Sequence, residues 1–299
     1  MLRRALLTFL LVIIVVSGLA IYTRPGATPT GSIRANCARS PVPSRSTFTH
    51  FKLANNEDFR NDRDVPSDWD IYHGPAQSST SFLSSSHVVI GKVGAHSRAL
   101  YIKGYHDPAH PGYPMTTGGL QDHFGAVSGG FSVCLDFNTP SRRSDGPKVK
   151  IVVISWPSDN DWPQHGEIDA LEGKIGDWDT AIVIGKSSQY ATANHDPMAG
   201  YYDLANGSAW ARMVHPSIDT ATSHVITCLW DPVDGIQVYL DKTLVRRASP
   251  SESPGDWYPG AYGVVGRNLA VQTEYLGGTP NGTEIDARIY WRTHYSFSG

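Results

Sequence analysis

The sequence predicts an all-β fold, a two-sheet antiparallel β-sandwich. Three observations predict it. Short runs alternate apolar with polar residues at a period of two. The 29 glycines and 20 prolines separate those runs with turn signals. No amphipathic helical pattern longer than about three turns interrupts them. The 8 Trp and 14 Tyr fit the same picture and supply a surface that stacks on flat ligands. With 40% hydrophobic and 18% charged residues the 299-residue chain is composed like a folded domain, not a disordered one. A net charge of -3 excludes a broad basic footprint for nucleic acid.

Residues 1–24 stand apart from the fold. Arg3 and Arg4 precede an uncharged apolar run from Ala5 to Tyr22. This is the pattern of an export signal, and its length reaches that of a membrane-spanning helix. The segment is read as a signal peptide, with a weak small-residue site at Gly18-Leu19-Ala20, or as an N-terminal anchor in contact with the membrane through residues 5–22. Either reading places the remainder outside the cell, secreted or tethered to the outer face of the membrane. Residues 25–46 read as a linker, with Pro25, Pro29, Pro41 and Pro43 among Ser, Thr and Gly. Residues 47–299 then form one domain, expected to be monomeric.

Within the domain, Phe131–Phe137 alternates as a half-buried strand. Lys148–Ser155 begins with alternation and ends as a continuous apolar run, which suggests burial on both faces. His224–Trp230 and Ile236–Leu240 flank Asp-Pro-Val-Asp-Gly, a hairpin signal. Glu284–Trp291 closes the chain as a last strand. Of the three cysteines, Cys134 and Cys228 lie in strand-like runs and are the expected disulfide, with Cys37 left over. Buried free thiols are the alternative. No Cys/His spacing suggests zinc.

The informative segment runs from Trp156 to Gly173. It places Glu167, Asp169 and Glu172 in a stretch that otherwise reads as a strand, where acids are poor residues and costly to bury. Strand alternation puts Glu167 and Asp169 on one face and Glu172 on the other. A β-bulge between Asp169 and Glu172 would turn Glu172 back, so that all three acids line one groove with Ile168 anchored in the core. Retaining cleavage of a glycosidic bond needs two carboxyl groups about 5–5.5 Å apart. Here Asp169 would raise the proton affinity of a neighbouring glutamate. A solvated acidic edge, or a calcium site, could use the same oxygens. Trp156 and Trp162 lie upstream, where they could flank the groove and stack on sugars, or simply pack in the core.

At these residues the chain resembles glycoside hydrolase family 16, the β-jelly-roll, concanavalin A-like endo-glucanases that include laminarinases and lichenases. Trp156-Pro…Trp162-Pro-Gln-His-Gly-Glu-Ile-Asp-Ala-Leu-Glu172 is similar to the family's W-P-x-x-G-E-I-D-φ-φ-E, φ being apolar. Gly129–Cys134, His224–Asp241, Asn268–Thr273 and Ile285–Tyr290 resemble further strands of the family. The resemblance implies an open cleft across a concave sheet and retaining hydrolysis of β-1,3 or mixed β-1,3/1,4 glucan. It assigns Glu167 as nucleophile, Asp169 as assisting carboxylate and Glu172 as acid/base. Gln272 matches a polar position that touches substrate or serves as a structural hydrogen bond. The strand after the catalytic one lacks a histidine common in the family, although His195 follows nearby and is carried as a substrate contact. Lys242 stands where a turn glycine is usual. No cofactor is required; a structural calcium is expected from the family, with no ligands assigned. The partner is a polysaccharide, a β-glucan. A non-catalytic carbohydrate-binding protein on the same fold and a wall-glucan transglycosylase are the competing functions.

Overall fold

A computed structural model describes residues 37, 50–76, 80–93, 97–113, 115–138, 149–160, 167–174, 177–183, 222–248, 265–275 and 284–299. The export or anchor segment and, apart from Cys37, the linker segment lie outside them, as do Trp162 and His195. The described residues belong to one compact unit, Ile33–Gly299. Among them no helix is long and apolar enough to cross a membrane.

Among the described residues seventeen strands follow in chain order: β1 (Phe51–Asp58), β2 (Trp69–Ile71), β3 (Gly74–Pro75), β4 (Ser81–Leu83), β5 (Val88–Lys92), β6 (Arg98–Gly104), β7 (Met115–Thr117), β8 (Gly119–Asp122) and β9 (Gly129–Asn138). They continue with β10 (Val149–Pro157), β11 (Glu167–Lys174), β12 (Asp177–Val183), β13 (His224–Asp231), β14 (Gly235–Leu240), β15 (Thr243–Ala248), β16 (Arg267–Tyr275) and β17 (Ile285–Phe297). Two 3-10 turns, Phe59–Asn61 and Ser85–His87, are the helical elements among the described residues.

An eight-stranded sheet has the order β15-β14-β13-β9-β17-β6-β5, with β1 also paired to β17. A six-stranded sheet has the order β12-β11-β10-β16-β8-β2. The pairs within both sheets are antiparallel, so the predicted all-β sandwich is the fold found. The shared core takes alternate residues of each sheet. Val149, Ile151 and Val153 of β10 meet Leu100, Ile102, Phe131, Val133 and Leu135 of the eight-stranded sheet in one buried cluster. The intervening β10 residues Val152 and Ile154 are buried on the opposite face, in a second cluster with Ala270. That is the two-faced burial which the apolar run of this strand predicts.

The hairpin between β13 and β14 forms as expected. Asp231 accepts hydrogen bonds from the Val233 and Asp234 amides, both at 2.7 Å, and Gly235 takes a φ of 83°. The next turn is tighter, and Asp241 and Lys242 both adopt positive φ, 49° and 73°. Lys242 therefore occupies a left-handed position that glycine would take without strain.

The expected Cys134–Cys228 disulfide is not formed. Cys134 bonds Cys37, with Cα atoms 5.8 Å apart, and Cys228 is a buried free thiol. Strand parity gives the reason. Cys134 pairs across the sheet with Val225, three residues from Cys228, and an odd step sends side chains to opposite faces. Cys228 joins the inter-sheet core, whereas Cys134 lies on the outer face of β9 beside Val93, Ala99 and Tyr290. The Trp291 indole donates to the Cys37 carbonyl at 3.1 Å, which further fixes this stretch of the segment read as a linker.

Candidate active site

The site is built on the outer face of the six-stranded sheet, around β11. Ile154 pairs with Asp169 and Val153 with Leu171, so Ala170 has no partner of its own on β10. On the other side Asp169 pairs with Ala181 and Glu172 with Asp179. Two residues, Ala170 and Leu171, thus oppose one on β12. This is the bulge expected between Asp169 and Glu172. Ile168, Ala170 and Leu171 all enter the core. Glu167 and Glu172 line a cleft of about 440 Å³ on the other face, and Asp169 lies between them in sequence, 2% exposed.

The floor follows from register. Glu172 pairs with Val152, Val152 with Gln272, and Gln272 with Gly119, giving one row across four strands. Val152 and Ile154 supply an apolar floor between polar edges. A Cβ on Gly119 would come within 2.7 Å of both Gln272 Cβ and the Tyr72 ring, so the absence of a side chain there lets Tyr72 lie against the floor. Trp156 lines the cleft and its indole donates to Asn160 Oδ1 at 2.9 Å. His73, Gly74, Pro75 and Leu83 form a further part of the lining. They belong to or adjoin a small sheet of order β3-β4-β7, in which β4 and β7 run parallel.

The charges are coupled. Burial, followed by the charges of Glu167 and Glu172, holds the Asp169 carboxyl well above the usual carboxylate range; Lys150 acts the other way. Asp169 is hydrogen-bonded to Glu172. Glu172 is also met by Lys150, whose ammonium forms an ion pair with Oε1. Burial alone would lower the Lys150 pKa, but the charges of Glu172 and Glu274 outweigh it and raise it. Near Glu167, the buried Arg267 is pulled down to about 10 by burial, while the Glu167 charge opposes that fall. The Tyr72 phenol is pushed up by burial and then by Asp122, Asp70 and Glu167.

The structure therefore brings together Glu167, Asp169, Glu172, Trp156 and Gln272. Sequence reasoning missed Lys150, Glu274, Tyr72 and Asn160. For Lys150 a signal existed: it shares strand parity with Val152, Ile154 and Trp156, all on the cleft face. Among the described residues there is no group of three or more His, Cys, Asp or Glu side chains that could hold a metal ion.

No family model matches the sequence, and no curated protein matches it either. Solved structures do match by fold. The catalytic domain of an endo-1,3-beta-glucanase (laminarinase) from Thermotoga petrophila RKU-1 superposes with a TM-score of 0.61 at 15% identity, covering 83% of this chain and 99% of that one. The laminarinase from Rhodothermus marinus gives 0.60 at 16% identity, over 83% of this chain and 98% of its own. A glycoside hydrolase family 16 endo-glucanase from Bacteroides ovatus, in complex with G4G3G-2F-DNP, gives 0.56 at 14% identity over 80% and 99%. At these identities the likeness is one of fold.

Proposed function

We propose that the chain is a member of glycoside hydrolase family 16, a retaining endo-acting hydrolase of β-1,3 or mixed β-1,3/1,4 glucan. One observation carries the reading: a bulge in β11 turns Glu172 to the same open face as Glu167, inside a cleft. The fold shared with laminarinases, including neighbours solved with glucan oligosaccharides, supports it. Glu167 attacks the anomeric carbon while Glu172 gives its proton to the leaving glycosidic oxygen, leaving a glycosyl ester on Glu167. Glu172 then takes a proton from water, whose oxygen displaces Glu167 from the sugar. Asp169, held neutral, supplies a hydrogen bond to Glu172 without adding a third charge. The apolar floor of Val152 and Ile154 and the Trp156 ring suit the faces of pyranose rings.

The residues before Phe51 and the Cys37–Cys134 disulfide together support an extracellular site of action, secreted or tethered at the outer membrane face. Wild type and Glu167→Gln incubated with laminarin and lichenan test the activity. Reducing ends released by wild type alone are expected; equal release from both proteins sinks the assignment.

A second reading has one observation in its favour. Lys150 is ion-paired to Glu172 Oε1, an arrangement that suits a glucan-binding protein without turnover as well as an enzyme at rest. Tight laminarin binding by wild type, with no product, would establish it. Sizing of products longer than the donor would separate transglycosylation from hydrolysis.

A further inference from the structure

The floor of the cleft holds one buried cation that the two-carboxylate mechanism does not use. We propose that Lys150 is a positioning residue for Glu172, its ammonium shared between Glu172 and Glu274, so that its seat decides whether Glu172 is held as a base or freed to take a proton. This deepens the hydrolase reading and rests on it.

The geometry follows from β10 lying between β11 and β16. Lys150 is 7% exposed and lines the cleft. On the β11 side its ammonium is ion-paired to Glu172 Oε1. On the β16 side its cross-strand partner is Glu274, which is 1% exposed. Glu274 is fixed in place, because its Oε1 accepts from Gln272 Nε2 at 2.6 Å. Of the three groups, the lysine has the long flexible stem. A buried ammonium needs a carboxylate partner, and here the carboxylates of Glu172 and Glu274 flank one cation from the two neighbouring strands.

Other groups also face Glu172. Asp169 is hydrogen-bonded to it from the same strand, and Glu167 lies further along β11. Gln272 and Glu274 approach from β16, and Asp179 is its register partner on β12. Tyr72 and His73 complete the cleft lining. Among these described groups Lys150 is the permanent cation. Seated on Glu172 it favours the carboxylate that accepts a proton from water. Seated on Glu274 it leaves Glu172 to bind the proton needed by the departing sugar.

Removing the cation and removing the neighbouring Glu274 charge are expected to act on Glu172 in opposite directions. The test uses wild type, Lys150→Met and Glu274→Gln. It measures kcat/KM on laminarin against pH, and titrates the Glu172 side-chain carboxyl by carbon-13 NMR. Lys150→Met is expected to move the basic limb and the carboxyl midpoint up by about one pH unit. Glu274→Gln, which keeps the acceptor for Gln272, is expected to move both down. It remains informative if Lys150→Met does not fold. Midpoints that stay in place, or move the same way in both variants, overturn the proposal. A wild type that cleaves no glucan fails the hydrolase reading instead, and the NMR titration then decides on Lys150 without turnover.

Discussion

Asp169 and Glu172 face the same side of β11 although they lie three positions apart, a step that would put them on opposite sides of a regular strand. The single extra residue at Ala170–Leu171 corrects the parity, and both of those side chains enter the core on the far face. The bulge is thus held by packing from below, and it sets Asp169 and Glu172 on one side, where they are hydrogen-bonded to each other.

Stability should depend on pH through Asp169. Its carboxyl is raised, first by burial and then by Glu167 and Glu172, so the folded protein retains a proton that the unfolded chain releases above about pH 4. The corresponding stability is intact below that pH and is lost as pH rises through the raised folded value. Asp169→Asn, which never ionises, is therefore expected to be more stable than wild type at pH 7 and to lose the advantage near pH 4. Urea midpoints at the two pH values check this; an advantage greater at pH 4 contradicts it.

Trp156 should act in binding more than in bond cleavage. Its ring lines the cleft and its indole is fixed by Asn160. Trp156→Ala is expected to raise KM for laminarin about tenfold, equivalent to about 1.4 kcal/mol, with kcat little changed. A kcat that falls as steeply as kcat/KM would place the ring in the chemistry instead.

The Cys37–Cys134 disulfide closes a sequence separation of 97 residues. Its loss is expected to cost about 4.7 kcal/mol by the chain-entropy account. Calorimetry of wild type with and without reductant, and of Cys37→Ser, reads the effect directly. Activity at low temperature should persist, because Cys134 sits on the outer face of the eight-stranded sheet, remote from the cleft. A reductant-insensitive transition would count against the tie.

Arg292 joins the two sheets. It is 2% exposed, donates to Glu57 at 2.6 Å and Asp122 at 3.0 Å, also pairs with Asp68, and lies 4.6 Å over the Trp69 ring. Asp122 is fully buried and accepts from His294 as well. Arg292→Met leaves those carboxylates underpaired, and a loss of about 3–5 kcal/mol in denaturant unfolding is expected. A loss below about 1 kcal/mol would mean that His294 and the Leu269 amide already satisfy Asp122.

Much of this was legible in the residues. The bulge could be placed because an acid at an odd offset has only two outcomes, burial or a corrected face. The hairpin at Asp231–Gly235 was legible because its turn chemistry is local. Lys150 and Glu274 were not, since their meeting depends on β16 lying beside β10, a pairing between segments more than a hundred residues apart. The cysteine pairing failed for a related reason. Two strand cysteines looked like neighbours, but which face each takes is set by register across β9 and β13, and register is a tertiary property.

Among the described residues lining the cleft, one ammonium, that of Lys150, stands against the carboxyl groups of Glu167, Glu172 and Glu274. Sulfated or uronate-bearing polymers would enter against a field of their own sign, strongest at low ionic strength.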